Sequence, residues 1–284
     1  MSLNLEPALY WMTERQSIKT KKDRGDPPPW TLDPIIANFR FTNVRREDDR
    51  VTVWIRENIR EPYADHPNLW FMLCIGRWIN WPNTLAELIA EGAWPDHAGF
   101  RPEHMTEVIT ARAQRGEKCF TSAYIIRGAF GMPKAKSVSE ITLGGAWRDR
   151  VVMAPKMRRT LQEAHEALAE GDYWGPFMSY QSVIDMRYCP HLLAQAPDVE
   201  TWAAAGPGTL RGLNRLHGRR YDQPLHQTQA LTELLELFAL LKRSTDVNLD
   251  LSDVLNCCCE VDKYLRLKNG EGSVRAKYHA RNPL

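Results

Sequence analysis

Along this chain apolar residues recur mostly at three- and four-residue intervals, and strict apolar–polar alternation is scarce. That is the period of helices laid against a core, not of strands. The spacing predicts helices over 51–59, 68–80, 83–90, 102–115, 151–169, 177–188, 209–216, 227–242 and 251–267, with a shorter helical or extended piece at 123–129. Start signals agree: Asp33 stands as a cap before Pro34 at a first helical position, and Asn83 as a cap before the next apolar run. Residues 1–29 read as a loose arm, with a helical turn over 5–12 and a charged, Pro-rich linker or DNA-facing stretch at 19–29. The pattern therefore predicts an all-α fold, one helical domain of about ten helices over 30–284, without repeats.

Composition changes this picture little. The chain has 284 residues, 43% hydrophobic and 25% charged, as ordinary globular proteins do. Its 10 Trp supply either core contacts or stacking surfaces for bases. The net charge of +2 does not demand a polyanionic partner, but the distribution is uneven. Nine Lys/Arg fall between Lys118 and Arg159 against Glu140 and Asp149, and six between Lys263 and the end against Glu271. Such local basic surface is what a phosphate backbone needs, and equally what a solvated face looks like.

The 6 Cys include the run Cys257-Cys258-Cys259, and no C-x-x-C pair occurs. They read as reduced thiols of a cytosolic protein. A zinc site from Cys189, His191 and the triple run would match no standard ligand spacing, so no metal is expected. No signal peptide is visible, and no apolar run approaches the ~20 residues of a membrane span.

Two stretches carry candidate chemistry. In 177–187 one acid, Asp185, lies among Phe177, Val183, Ile184 and Met186. In 205–216, Gly206-Pro207-Gly208-Thr209 forms a tight turn opening a helix that bears Arg211 and Arg215. A Gly-rich turn at a helix start offers free N–H groups and the positive end of a dipole, which is a phosphate seat. Such a seat beside a semi-buried acid suggests an enzyme acting on a base in DNA. The plainer alternatives are an interhelical turn, and a buried acid paired with Arg187 or a helix N-terminus. The run Gly128–Ser137 faintly echoes a phosphate loop but lacks its Gly-Lys-Ser ending, which argues against nucleotide hydrolysis.

Four pieces occur together and in order: 39–50 (FRFTNVRREDDR), Tyr180-Gln181 with Asp185 and Arg187, the Gly206-Pro207-Gly208-Thr209 turn, and 259–266 (CEVDKYLR). With these the chain resembles, over roughly 30–280, a bacteriophage family distantly related to the helix-hairpin-helix DNA glycosylases. It contains the α-glutamyl/putrescinyl thymine pyrophosphorylases, or amino-acid:DNA transferases. The same helical domain stands beside the kinase that phosphorylates 5-hydroxymethyluracil in DNA. The resemblance implies a glycosylase-like helical fold and a role in the phage-infected host. It also implies a reaction in which an amino acid, glycine being one family choice, displaces pyrophosphate from the 5-methylene of a pyrophosphorylated 5-hydroxymethyluracil. The partners implied are double-stranded DNA carrying the modified uracil and a free amino acid; the scheme needs no cofactor.

That chemistry needs a base for the entering ammonium, cations for the departing diphosphate, and access to an extruded base. Asp185 is the first candidate for the base, although it precedes the turn where the glycosylase acid follows it. Glu260, Asp262 and Lys263 form a second group, in which a carboxylate binds the amine and a lysine the carboxylate of an amino acid. The alternative there is an ordinary i,i+3 pair. Arg40, Asn43, Arg46, Asp49 and Arg50 are assigned to the pyrophosphate, with Arg46 and Arg50 one turn apart on a helical face, or else to an internal ion-pair network. Tyr180, Gln181 and Arg187 are assigned to the extruded base and its leaving group, or to the core. Gly206, Pro207, Gly208, Thr209, Arg211 and Arg215 are assigned to the DNA backbone. The rival functions are a DNA glycosylase and a non-catalytic DNA-binding partner of the kinase.

Overall fold

The computed structural model describes residues 3–96, 99–124, 126, 128–129 and 131–271. The basic positions Arg127, Arg275, Lys277 and Arg281 lie outside these, as does Phe130 of the loop-like run. In chain order the helices are α1 (Glu6–Asp23), α2 (Pro34–Asn38), α3 (Arg50–Ile55), α4 (Leu69–Ile79), α5 (Pro82–Ala90), α6 (Pro102–Gln114), α7 (Lys134–Lys136), α8 (Gly144–Arg148), α9 (Arg150–Lys156), α10 (Leu161–Ala169), α11 (Gly175–Met186), α12 (Pro207–Leu216), α13 (Gln227–Ser244) and α14 (Leu251–Lys268). Among the described residues there is no strand, so the fold is all-α as the periodicity predicts.

The chain packs as two compact units. One holds the residues up to Asp49 and those from Ala203 on; the other runs from Arg50 to Trp202. In the first unit α14 is the central rod, flanked by α1, α12 and α13. The loose arm expected over 1–29 is instead largely an ordered helix. α1 starts with Pro7 in its first turn and buries Ala8, Trp11, Met12 and Ile18. Ala8, Trp11 and Met12 lie at i, i+3 and i+4, a stripe that the surrounding charges hide in the sequence.

In the second unit α4 is the centre: all eleven of its residues are buried, and it packs against α11. Trp78 of α4 meets Trp174 edge-on at 5.3 Å, and Phe71 meets Phe100 and Trp147, each at 5.1 Å. Nearly every residue of α4 is apolar because it is surrounded, not half-exposed. α4 ends at Asn80, whose φ of 46° places it in the left-handed region that asparagine tolerates.

Three boundaries differ from the sequence pattern. The helix expected over 51–59 continues from α3 as a π-helical turn, Arg56–Arg60. The one expected over 151–169 breaks into α9 and α10, because the Thr160 hydroxyl caps a new start by accepting the Glu163 N–H at 3.0 Å. α5 begins with Pro82 rather than after an Asn83 cap. The Asp33 cap forms as expected, accepting from the N–H groups of Ile35 at 2.8 Å and Ile36 at 3.0 Å. Among the described residues no helix is long and apolar enough to cross a membrane.

Candidate functional site

α14 presents two working faces, and its start is fixed by a capping box. Asp250 accepts the Asp253 N–H at 3.0 Å, and Asp253 accepts the Asp250 N–H at 3.1 Å. Along one face the segment 39–49 runs antiparallel to the helix as a strap. The Arg46 N–H donates to Asp253 at 2.7 Å, Asn256 donates to the Thr42 hydroxyl at 2.8 Å, and Lys263 donates to the Arg40 carbonyl. Two extended residues rise about 6.6 Å and one helical turn 5.4 Å, so alternate strap residues meet successive turns. From α1, Arg15 reaches the same strap and donates to the Thr42 carbonyl at 2.9 Å and to Asn43 Oδ1 at 3.2 Å.

Under this strap lies Glu260, buried at 8% exposure. Its carboxylate stands 3.4 Å from the Lys263 ammonium, which also lies 4.5 Å from the centre of the Phe41 ring. Burial pushes the Glu260 carboxyl above the usual range, against the pull of Lys263, the Thr42 N–H and Arg15. A carboxylate so placed holds a proton at higher pH than an exposed one, which is the property a general base needs.

The opposite face of α14 is closed. Asp262, two residues on and therefore about 200° round the helix, is 1% exposed. It accepts from Arg211 at 2.8 Å and Arg215 at 2.8 Å, and Arg215 also pairs with Glu271 at 2.5 Å. The two arginines assigned to the DNA backbone are thus held internally, and Asp262 is separated from Glu260.

The glycines of α12 explain the contact. A Cβ on Gly212 would run into the Cys258 carbonyl, and one on Gly208 into the Cys259 sulfur. Thr209 donates to the Leu255 carbonyl at 3.1 Å and is 2% exposed. Gly208 and Thr209 therefore serve close packing of α12 on α14 rather than a phosphate, while Gly206 is the N-cap and Pro207 opens the helix, exposed. Burial pushes the Cys257 and Cys258 thiols well up and that of Cys259 up to about 12, so all three stay protonated as packing groups.

In the other unit Asp185 is 1% exposed and locked in a fork. Arg77 donates to it through Nε, and through Nη2 at 2.8 Å. The same guanidinium donates to Thr52 at 2.8 Å and Asn80 at 3.1 Å. The fork comes from Arg77 of α4. Arg77 is missed by pattern reading, yet it left a signal: it is the one charge in α4, as Asp185 is in α11. Two lone opposite charges on otherwise apolar helices are best satisfied by each other.

The remaining sequence candidates fall as follows. Tyr180 is 3% exposed, packed between His165 at 6.3 Å and Trp202 at 5.8 Å, so it is core. Gln181 accepts from the Tyr124 hydroxyl at 3.3 Å. Arg187 lies 5.0 Å from the centre of the Tyr188 ring, as Arg60 does at 5.1 Å. Asn43 and Asp49 hold the strap, Asp49 accepting the Asn43 N–H at 2.8 Å and Asn43 donating to the Asp48 carbonyl at 2.6 Å. Arg46 and Arg50 do not share a helical face, because the 3₁₀ turn Arg46–Asp48 ends in an extended Asp49 before α3 begins. Among the described residues no cluster of three or more His, Cys, Asp or Glu is arranged to hold a metal.

The family model described as "5-hmdU DNA kinase, helical domain" matches residues 4–273. The chain belongs to this family. The match opens at residue 4, so α1 is part of the family's helical domain rather than an appendage to it. A curated relative, the 5-hmdU DNA kinase of Bacillus phage SP10, is 30% identical over 280 residues, covering 89% of this chain. The chain spans 43% of that relative's length. No solved structure matches the chain.

Proposed function

We propose that this helical domain acts on phage DNA containing 5-hydroxymethyluracil, inside the infected host. In this reading it transfers a free amino acid, glycine being the first to try, to the pyrophosphorylated 5-methylene. The observation that carries the reading is Glu260, a buried carboxylate raised in pKa beside Lys263, under a strap rich in arginine. Family membership supports a place in hydroxymethyluracil chemistry.

The amino acid arrives as an ammonium. Glu260 accepts one proton from it, and Lys263 with Arg40 holds its carboxylate. The freed amine forms a C–N bond to the methylene as the C–O bond to pyrophosphate breaks, and pyrophosphate leaves with the bonding pair. Arg46, on the same strap as Arg40, is the candidate for the leaving group. The helix-hairpin-helix kinship and base extrusion belong to this proposal. It moves the general base from Asp185 to Glu260, since a carboxylate gripped by a guanidinium fork is a poor proton acceptor.

The second reading is a non-catalytic DNA-binding module. It is favoured by the occupation of Asp185 and Asp262 in ion pairs.

The deciding experiment is mass spectrometry of nucleosides from pyrophosphorylated hydroxymethyluracil DNA incubated with the protein and pooled amino acids. A nucleoside carrying one amino acid, with pyrophosphate released and the activity lost in Glu260→Gln, supports the transferase. DNA binding with unchanged nucleosides supports the module, and abasic sites would point to a glycosylase.

A further inference from the structure

The arginines of α12 are consumed by Asp262, but another cationic surface is not. Over 148–159 the exposed positions are Arg148, Asp149, Val151, Val152, Pro155, Arg158 and Arg159, and the buried ones Met153 and Met157. Val151 is 77% exposed and Val152 67%, among the most exposed large apolar side chains of the chain. Val151, Val152 and Pro155 stand at i, i+1 and i+4 on α9, and exposed Arg148 closes α8 just before it. Among the described residues no carboxylate pairs with Arg148, Lys156 or Arg158. Arg159 is offset by Glu163 at 3.0 Å, and Arg150 is tied down by donating to the Trp147 carbonyl at 3.0 Å.

We infer that this α8–α9 ridge is a docking surface for double-stranded DNA, with Arg148, Lys156 and Arg158 on phosphates and Val151 and Val152 turned to the groove. The inference rests on the reading that the domain acts on DNA, and assigns that reading a surface. Charge complementarity selects the partner: cations without a carboxylate partner bracket an apolar pair that none of the described residues covers. α9, from Arg150 to Lys156, is about 10 Å long at 1.5 Å per residue, short enough to lie in a major groove roughly 12 Å wide. The cations can therefore reach phosphates at the groove's edges while the valines face its floor. Branched apolar side chains there meet the C5 methyl of thymine or the methylene carbon of a 5-hydroxymethyl group, a contact cations do not make.

The test is fluorescence-anisotropy titration of the full chain with a hydroxymethyluracil-containing duplex over a range of salt. Two variants are compared, Arg148→Glu/Arg158→Glu and Val151→Ser/Val152→Ser. Both sets of positions are exposed, and circular dichroism checks that the variants fold. The charge variant is expected to weaken binding by about tenfold or more and to flatten the salt dependence by roughly one unit of slope per lost phosphate contact. The valine variant is expected to weaken binding several-fold with the slope unchanged, because apolar contacts release no counterions. Wild-type binding matched by both variants would overturn the ridge while leaving the DNA reading intact. Absence of DNA binding by the wild type would overturn both. Binding instead to vesicles of phosphatidylserine and phosphatidylcholine, lost in the valine variant, would reassign the ridge to an anionic membrane.

Discussion

Asp185 and Glu260 are both buried acids on packed helices, one in each unit, and their charges are met in opposite ways. Asp185 faces a guanidinium fork that is itself buttressed by Thr52 and Asn80. Glu260 has the Lys263 ammonium at 3.4 Å, shared with the Arg40 carbonyl, with the Thr42 N–H and the more distant Arg15, and burial outweighs them and raises its pKa. Burial alone therefore does not mark a reactive carboxylate. What separates the two is how completely the charged form is satisfied.

The largest effect that could break this contrast is at Asp185. Asp185→Asn leaves Arg77 charged in a dry interior and is expected to cost about 3–5 kcal/mol in urea unfolding. Replacing both partners, Arg77→Met with Asp185→Leu, should recover much of that loss. A single variant within about 0.5 kcal/mol of wild type would remove the structural role and return Asp185 to candidacy as the base.

The next effect sharpens the view of α12 and α14 as a closed seam. Gly212→Ala gains helix propensity but drives a methyl into the Cys258 backbone, which cannot turn aside. A net loss of about 1–3 kcal/mol is expected from overpacking. Gly208→Ala should cost less, since the group it meets is the Cys259 side chain, which can rotate. Thermal melts of the two variants read the order directly. Equal stability of Gly212→Ala and wild type would mean that the seam is looser than its geometry.

These residues also show what was legible in the sequence. The all-α class and most helix positions follow from spacing, and Asp33 and Pro34 announce their helix correctly. The pairing of 39–49 with α14 was not legible, because a strap has no period of its own and its bonds are largely backbone. Glu260 and Lys263 were visible as an i,i+3 pair, but nothing in the letters says that Thr42 and Arg15 close over them. The Gly-Pro-Gly turn misled for a physical reason. Glycine permits close approach of any group, a helix as well as a phosphate, and the sequence does not name the visitor.

A smaller effect bears on Glu260 itself. Its raised pKa means that its stabilising contribution is present below the ordinary carboxylate range and is lost as pH rises through the raised value. Glu260→Gln should therefore melt no lower than wild type at neutral pH, and higher if Lys263 keeps its bond to Arg40. Gain of stability with loss of transfer is the pattern of a residue kept for chemistry. A marked drop in melting temperature would instead class Glu260 with Asp185.

The smallest effect concerns His165 and runs with the opposite sign. His165 is 9% exposed on α10, beside Tyr180 and Trp202, with Nε2 at 3.0 Å from the Pro176 carbonyl. The carbonyl only accepts, so the neutral ring donates from Nε2. Burial pushes the imidazole down from its ordinary value, with the Pro176 carbonyl pulling weakly the other way. A histidine depressed in the folded state contributes stability that is full above its unfolded pKa, about 6.5, and is lost as pH falls through the folded value. Melting temperature should thus decline on the acid side of about pH 6.5, and His165→Gln, which keeps a donor but cannot charge, should flatten that decline. Glu260→Gln should leave the acid limb alone and alter the neutral one. The two variants therefore separate the titrations of the two units, and an acid limb unchanged in His165→Gln would place its cause at another group.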